Sequence, residues 1–96
     1  MQFLVIAYDG KDSEAQARRA AARPAHIDGA QSLKENGNIL IGGAILDEEG
    51  NMIGSSLVVE FDDRASLDAW LENDPYVTEG VWQDISVKPF RTAVKT

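Results

Sequence analysis

The chain has 96 residues, 44% of them hydrophobic, and contains no cysteine. This length suits one domain with one core, and the lack of cysteine excludes a disulfide scaffold or thiol chemistry and favours a reducing, cytoplasmic location. The formal net charge of −7 argues against nucleic-acid binding, which needs a clustered basic face.

The first third of the chain predicts one strand followed by two helical pieces. The apolar run Gln2–Tyr8 indicates a strand and is too short to cross a membrane. Without a preceding basic stretch or a following cleavage site, we do not expect it to be a signal peptide. A capping box of Ser13 with Gln16 predicts a helical piece that ends near Ala22. Because proline fits a first helical position, we expect a second helix to begin at Pro24 and to end at Asn36-Gly37.

The remaining chain predicts a hairpin, a helix and a last strand. Two strand runs, 38–46 and 52–61, flank the polar link 47–51. Asp62 or Asp63 is expected to cap a helix with an apolar stripe of Leu67, Trp70 and Leu71. The last strand is Trp82–Phe90, and the chain after Arg91 is expected to be loose, which gives one domain over 1–96 with an ordered core over about 1–91.

The order βαββαβ predicts an α+β fold, the ferredoxin-like plait: a four-stranded antiparallel sheet with both helices on one face. The runs FLVIAY and LVVEF, which would be the central strands, are apolar at nearly every position. A strand covered on one face only should alternate. We therefore expect a second copy to cover the helix-free face and form a homodimer. The alternative is that a small domain tolerates such strands without dimerising.

The only histidine, His26, is the centre of the candidate site. Its spacing from Ala30 and Leu33 places it on the inward side of the second helical piece, in the first turn. There the helix dipole would favour a neutral ring that can accept a proton. Asp74 is the expected companion, because a carboxylate that accepts from one ring nitrogen leaves the other nitrogen as a base. The alternatives are a buried histidine bonded to a carbonyl, and an aspartate that only caps the Pro75 turn.

Other residues are expected at the same end of the sheet as ligand-binding groups or pocket walls. Ser55 either binds a small molecule or bonds to backbone, and Arg23 either holds an anion or pairs with a carboxylate. Pocket walls are expected from Tyr8, Tyr76 and Trp82. Arg18 and Arg19 indicate a solvated helix face. One histidine and scattered carboxylates do not suggest a metal site, and no cofactor motif is present.

Four motifs together resemble those of the YciI-like family (YCII-related domain): Arg23-Pro24-Ala25-His26, Gly54-Ser55, Asp74-Pro75-Tyr76 and Val87-Lys88-Pro89-Phe90. The resemblance runs from Met1 to about Phe90. It implies a dimeric α+β barrel and a histidine–aspartate pair that maps onto His26 and Asp74, with Ser55 lining the same pocket. It also implies a link to enzymes, since one relative removes chloride from a chlorinated hydroxyhydroquinone and muconolactone isomerases share the wider fold.

Two functions follow as hypotheses. The first is a cofactor-independent acid–base enzyme of isomerase, lyase or dehydrochlorinase type, acting on a small aromatic or lactone-like molecule. The second is a non-catalytic module that binds a small metabolite or serves for dimerisation. Ligand binding without turnover would distinguish the second from the first.

Overall fold

A computed structural model describes residues 1–95, and the last residue of the expected domain, Thr96, lies outside that range. The elements in chain order are β1 (Gln2–Asp9), α1 (Ala15–Glu35), β2 (Ile39–Leu46), β3 (Met52–Glu60), α2 (Arg64–Asn73), α3 (Pro75–Thr78) and β4 (Trp82–Phe90). The strands form one antiparallel sheet in the order β2-β3-β1-β4. The predicted ferredoxin-like α+β fold is confirmed.

The two central strands place apolar residues on both faces of the sheet. On the helix side, Phe3 and Val5 of β1 lie beside Val59 and Leu57 of β3, and all four are buried. The alternate residues, among them Leu4 and Ile6, face the other way and are only half-buried. Because side chains alternate along a strand, these two apolar runs supply both the core and a second apolar face.

The helical region before β2 differs from the sequence prediction. It is one continuous helix, α1, in which Pro24 lies inside, and Glu14 stands at its N-cap without a side-chain bond. The predicted Ser13–Gln16 capping box and the break at Pro24 are therefore wrong. Proline removes one helical hydrogen bond, to the carbonyl of Ala20. Both Ala20 and Pro24 lie on the exposed side of α1, where water can solvate that carbonyl.

The second half of the chain follows its predicted caps. Asp63 accepts a hydrogen bond from the Ser66 amide at 2.8 Å and begins α2, whose Leu67 and Leu71 are buried in the core. Asp74 ends α2 and caps α3. None of the helices within residues 1–95 is long and apolar enough to span a membrane.

The segment after β4 is attached to the sheet at Thr92. The Thr92 amide and hydroxyl both donate to Oε1 of Gln2, at 2.9 and 2.8 Å. These bonds tie the chain to the start of β1 one residue beyond Arg91.

Candidate functional site

A cavity of about 480 Å³ lies between α1 and the strands β2 and β3. The side chains that α1 contributes to its lining include the polar Arg19 and His26 and the small Ala30. Large aliphatic residues at these positions would fill more of the space against the sheet. The volume falls in the range of small-molecule sites.

His26 and Asp74 form a buried hydrogen-bonded pair beside this cavity. Nδ1 of His26 lies 2.8 Å from Oδ2 of Asp74, and His26 is also among the cavity-lining residues. A carboxylate accepts, so Nδ1 carries the hydrogen of a neutral ring and Nε2 holds the free lone pair. Nε2 has no hydrogen-bond partner within residues 1–95. The ring thus offers a proton acceptor next to the cavity.

The segment Asp74–Tyr76 fixes the imidazole in two directions. Oδ2 of Asp74 also accepts from the Tyr76 amide at 3.0 Å, which holds the carboxylate in place. The Tyr76 ring stacks on the imidazole with centroids 3.8 Å apart and planes 12° from parallel. Burial raises the pKa of the Tyr76 phenol, against the opposing effects of Arg19 and Arg23. Tyr76 is therefore a neutral, stacking side chain at physiological pH.

A second polar network lies next to this pair and centres on Arg19, which the sequence analysis placed on a solvated face. That prediction is wrong, because Arg19 is only 5% exposed. Its Nη1 donates to both oxygens of Asp9, at 2.9 and 3.0 Å, and its Nη2 donates to the Ser55 hydroxyl at 3.0 Å. The guanidinium also lies over the Tyr76 ring, 4.8 Å from its centroid.

The structure brings together most, though not all, of the expected binding residues. Ser55, Arg23 and Tyr76 line the cavity. Trp82 is buried behind it, in edge contact with His26, and donates its indole N–H to Ser55 at 3.1 Å. The expectation that Tyr8 is a pocket wall is wrong: Tyr8 lies on the opposite face of the sheet and is 42% exposed. No cluster of three or more potential metal ligands occurs within residues 1–95.

Fold and site define a ferredoxin-like α+β domain with a hydrogen-bonded His–Asp pair beside a cavity of about 480 Å³. The family model of the YCII-related domain matches residues 1–91, so the chain belongs to that family. The YciI protein of Escherichia coli O6:H1 is 34% identical over 97 residues, which cover 95% of this chain and 97% of that protein.

Among solved structures, a 5-chloro-2-hydroxyhydroquinone dehydrochlorinase (TftG) from Burkholderia phenoliruptrix AC1100 superposes with a TM-score of 0.82 at 27% identity. The match covers 95% of this chain and 94% of that chain, and that structure is a complex with 2,5-dihydroxybenzoquinone. A dimeric ferredoxin-like protein of unknown function from Jannaschia sp. CCS1 has a TM-score of 0.53 at 15% identity, covering 95% and 98% of the two chains, and shares the fold alone.

Proposed function

We propose that this chain is a cofactor-independent acid–base enzyme that acts on a small molecule held in the cavity between α1 and the sheet. The observation that carries the proposal is the 2.8 Å bond between His26 Nδ1 and Asp74 Oδ2, in which both groups are buried and His26 lines the cavity. Similarity to a dehydrochlorinase over nearly the whole chain supports it.

In the proposed step, Nε2 of His26 removes a proton from a hydroxyl group of the substrate, or from a carbon atom next to a carbonyl group. The electron pair of the broken O–H or C–H bond forms a new double bond. In the keto form of a chlorinated substrate, the shift of this electron pair expels chloride from the sp3 carbon that carries it. Asp74 keeps the ring in the tautomer that leaves Nε2 free and stabilises the imidazolium that forms. Tyr76 holds the plane of the ring by stacking. A placed general base of this kind contributes roughly 10²- to 10⁴-fold in rate.

The test uses the compounds of the structural relative. The wild-type protein is incubated with 5-chloro-2-hydroxyhydroquinone and released chloride is measured. We expect His26→Gln to reduce turnover by about 10²- to 10⁴-fold. The matched control is Ala25→Gln, which introduces the same side chain one position away on the exposed side of α1 and should retain full activity.

Two outcomes would contradict the proposal. If His26→Gln turned over the substrate as fast as the wild type, His26 would not be the general base. The second is binding of 2,5-dihydroxybenzoquinone, seen as a raised melting temperature, without any turnover that depends on His26. That result would instead favour the non-catalytic binding module.

We further propose that the protein is a homodimer formed through the helix-free face of the sheet. Half-buried Leu4, Ile6 and Val58 lie at the centre of this face, and Tyr8 and Ile41 are exposed beside them. Covering this face with a copy of itself removes these apolar side chains from water. The solved structure from Jannaschia sp. CCS1, which has the same fold, is described as dimeric, and this supports a dimer without indicating the face.

A further inference from the structure

The hydroxyl group of Ser55 is an unusual polar group, because both of its acceptor positions are already filled. It accepts from Arg19 Nη2 at 3.0 Å and from Trp82 Nε1 at 3.1 Å. Arginine and tryptophan side chains can only donate, whereas a serine oxygen has two lone pairs and one hydrogen. The hydrogen of Ser55 is therefore the one part of the group left to form a bond.

That hydrogen has no acceptor within residues 1–95, although Ser55 is 4% exposed and lines the cavity. Arg19 adds a second unmatched donor, since its Nε is buried without a partner in the same part of the chain. Buried donors of this kind are costly unless something accepts from them. Within the described residues, this side of the cavity holds donors in excess of acceptors.

The charges of the side chains that line the cavity also favour a ligand that accepts hydrogen bonds. Its basic side chains are Arg19, Arg23, His26 and Lys34, and no carboxylate is among the lining residues, although the whole chain has a net charge of −7. Arg19 is neutralised by Asp9 and His26 faces Asp74, while Arg23 and Lys34 form no ion pair within residues 1–95.

We propose that the cavity selects a ligand with an anionic oxygen, a phenolate, enolate or carboxylate, and that this oxygen accepts the hydrogen of Ser55. Arg19 and Trp82 are positioning residues that act through Ser55 by occupying its lone pairs. The inference rests on the proposed function in one respect. The same donor stabilises the enolate or phenolate oxygen that gains charge when His26 removes a proton.

The test measures the ionisation of a bound probe. 4-Nitrophenol ionises near neutral pH and is coloured only as the phenolate, so absorbance of the bound probe reports which form the cavity holds. We expect the wild type to bind the phenolate at least tenfold more tightly than the phenol, and benzoate more tightly than benzamide. Comparing benzoate with benzamide shows whether the cavity also prefers a carboxylate. Equal binding of the charged and neutral compounds in both comparisons would overturn the proposal.

Variants assign the preference to Ser55. Ser55→Ala should reduce the phenolate preference on the order of 10- to 100-fold, the value of a hydrogen bond to a charged group. Ser55→Thr keeps a hydroxyl and should keep the preference. The matched control is Ser56→Ala, because Ser56 is the next residue and lies on the opposite face of the sheet.

Trp82→Phe tests the positioning role and also covers the case in which Ser55→Ala does not fold. It keeps an aromatic ring but removes the indole donor, so Ser55 regains a lone pair and can accept from a neutral phenol. We expect a several-fold smaller phenolate preference. A purely structural tryptophan would change the melting temperature and leave this ratio unchanged, which would contradict the positioning role.

The same measurement in His26→Gln separates this inference from the proposed reaction. Because Ser55 and its two donors remain in place, the phenolate preference should persist without turnover. Loss of the preference in that variant would assign it to His26 and refute the role of Ser55. Failure of the acid–base mechanism alone would leave the preference intact.

Discussion

Asp74 uses one carboxylate oxygen both to cap a helix and to hold the imidazole of His26. Its Oδ2 accepts from the Tyr76 amide at 3.0 Å, which is a helix-capping bond, and from Nδ1 of His26 at 2.8 Å. A carboxylate oxygen has two lone pairs, so neither bond excludes the other. The cap therefore fixes the carboxylate that orients the imidazole.

The first prediction concerns the tautomer of His26. We expect ¹⁵N NMR to show the hydrogen of the neutral ring on Nδ1, because Asp74 accepts it there. The chain contains one histidine, so a single pair of ring signals is observed. Asp74→Ala removes the acceptor and should shift the population towards the Nε2–H form. A ring that is indifferent to Asp74→Ala would show that the contact does not set the tautomer.

The second prediction concerns Tyr76 at alkaline pH. Burial raises its pKa above the ordinary value of 10.0, so the folded protein holds the phenol proton more tightly than the unfolded chain does. The protonated phenol of Tyr76 therefore contributes its full share to the free energy of unfolding below pH 10.0. That share is lost as the pH rises from 10.0 through the raised pKa of the folded protein. Urea unfolding at neutral pH and at several pH values above 10.0 measures this loss of stability.

The Tyr76→Phe variant should not show this decrease in the free energy of unfolding at alkaline pH, whereas Tyr8→Phe should still show it. Tyr8 is a fair control because it is the only other tyrosine and is 42% exposed. An equal alkaline loss in wild type and Tyr76→Phe would contradict the assignment.

At the scale of elements, α1 is joined to the end of β1 by the buried Arg19–Asp9 pair. Replacing Arg19 by Met leaves the buried Asp9 charge without its partner and removes one of the two donors to the Ser55 hydroxyl, the other being Trp82. We expect a loss of about 3–5 kcal/mol in the free energy of unfolding, the usual cost of breaking one side of a buried ion pair. Chemical denaturation of the purified variant measures it.

Arg18→Met is the matched control for this third prediction. Arg18 is the preceding residue and pairs with Asp12 at 2.8 Å, but that pair lies at the surface, where side chains are 27% and 51% exposed. Surface pairs contribute little to stability. A loss in Arg19→Met no larger than that in Arg18→Met would show that the buried network does not stabilise the fold.

The sequence was sufficient for the order of the strands and the two long helices and for the caps at Asp63 and Asp74. It failed at the start of α1 and where local and tertiary effects compete. Pro24 predicted a break, but tertiary packing of α1 keeps the helix continuous. Arg19 was missed, although it shares a helical stripe with Ala15, Ala22 and His26, at spacings of four, three and four. A charged residue on such a stripe, with an acid at the end of the preceding strand, was the available sign of a buried pair.

Tyr8 was misplaced for a related reason. The topology correctly gave the end of the sheet at which β1 finishes, but not the face. Asp9 belongs to the buried set that alternates with Phe3, Val5 and Ala7, so Tyr8 must point to the other side. When nearly every residue of a strand is apolar, the sequence does not show which alternate residues face the helices.

At the scale of the whole molecule, the two faces of the sheet serve different purposes. The helix side combines a core of Phe3, Val5, Leu57 and Val59 with a cavity that α1 leaves unfilled. The helix-free side has no secondary structure packed on it within residues 1–95. A domain of this size buries only about two thirds of its chain surface alone. Association through the free side would bury more without closing the cavity.

The fourth prediction follows from that arrangement. Sedimentation velocity of the wild type should give a particle of about twice the 10.5 kDa chain mass. Ile6→Asp places a charge at the centre of the helix-free face, where Ser56 and Ser86 are its neighbours across the strands, and should give a folded monomer. Ala20→Asp adds the same charge on the exposed side of α1 and should remain dimeric. A monomeric wild type at assay concentrations, or a dimer that survives Ile6→Asp, would show that this face does not form the interface.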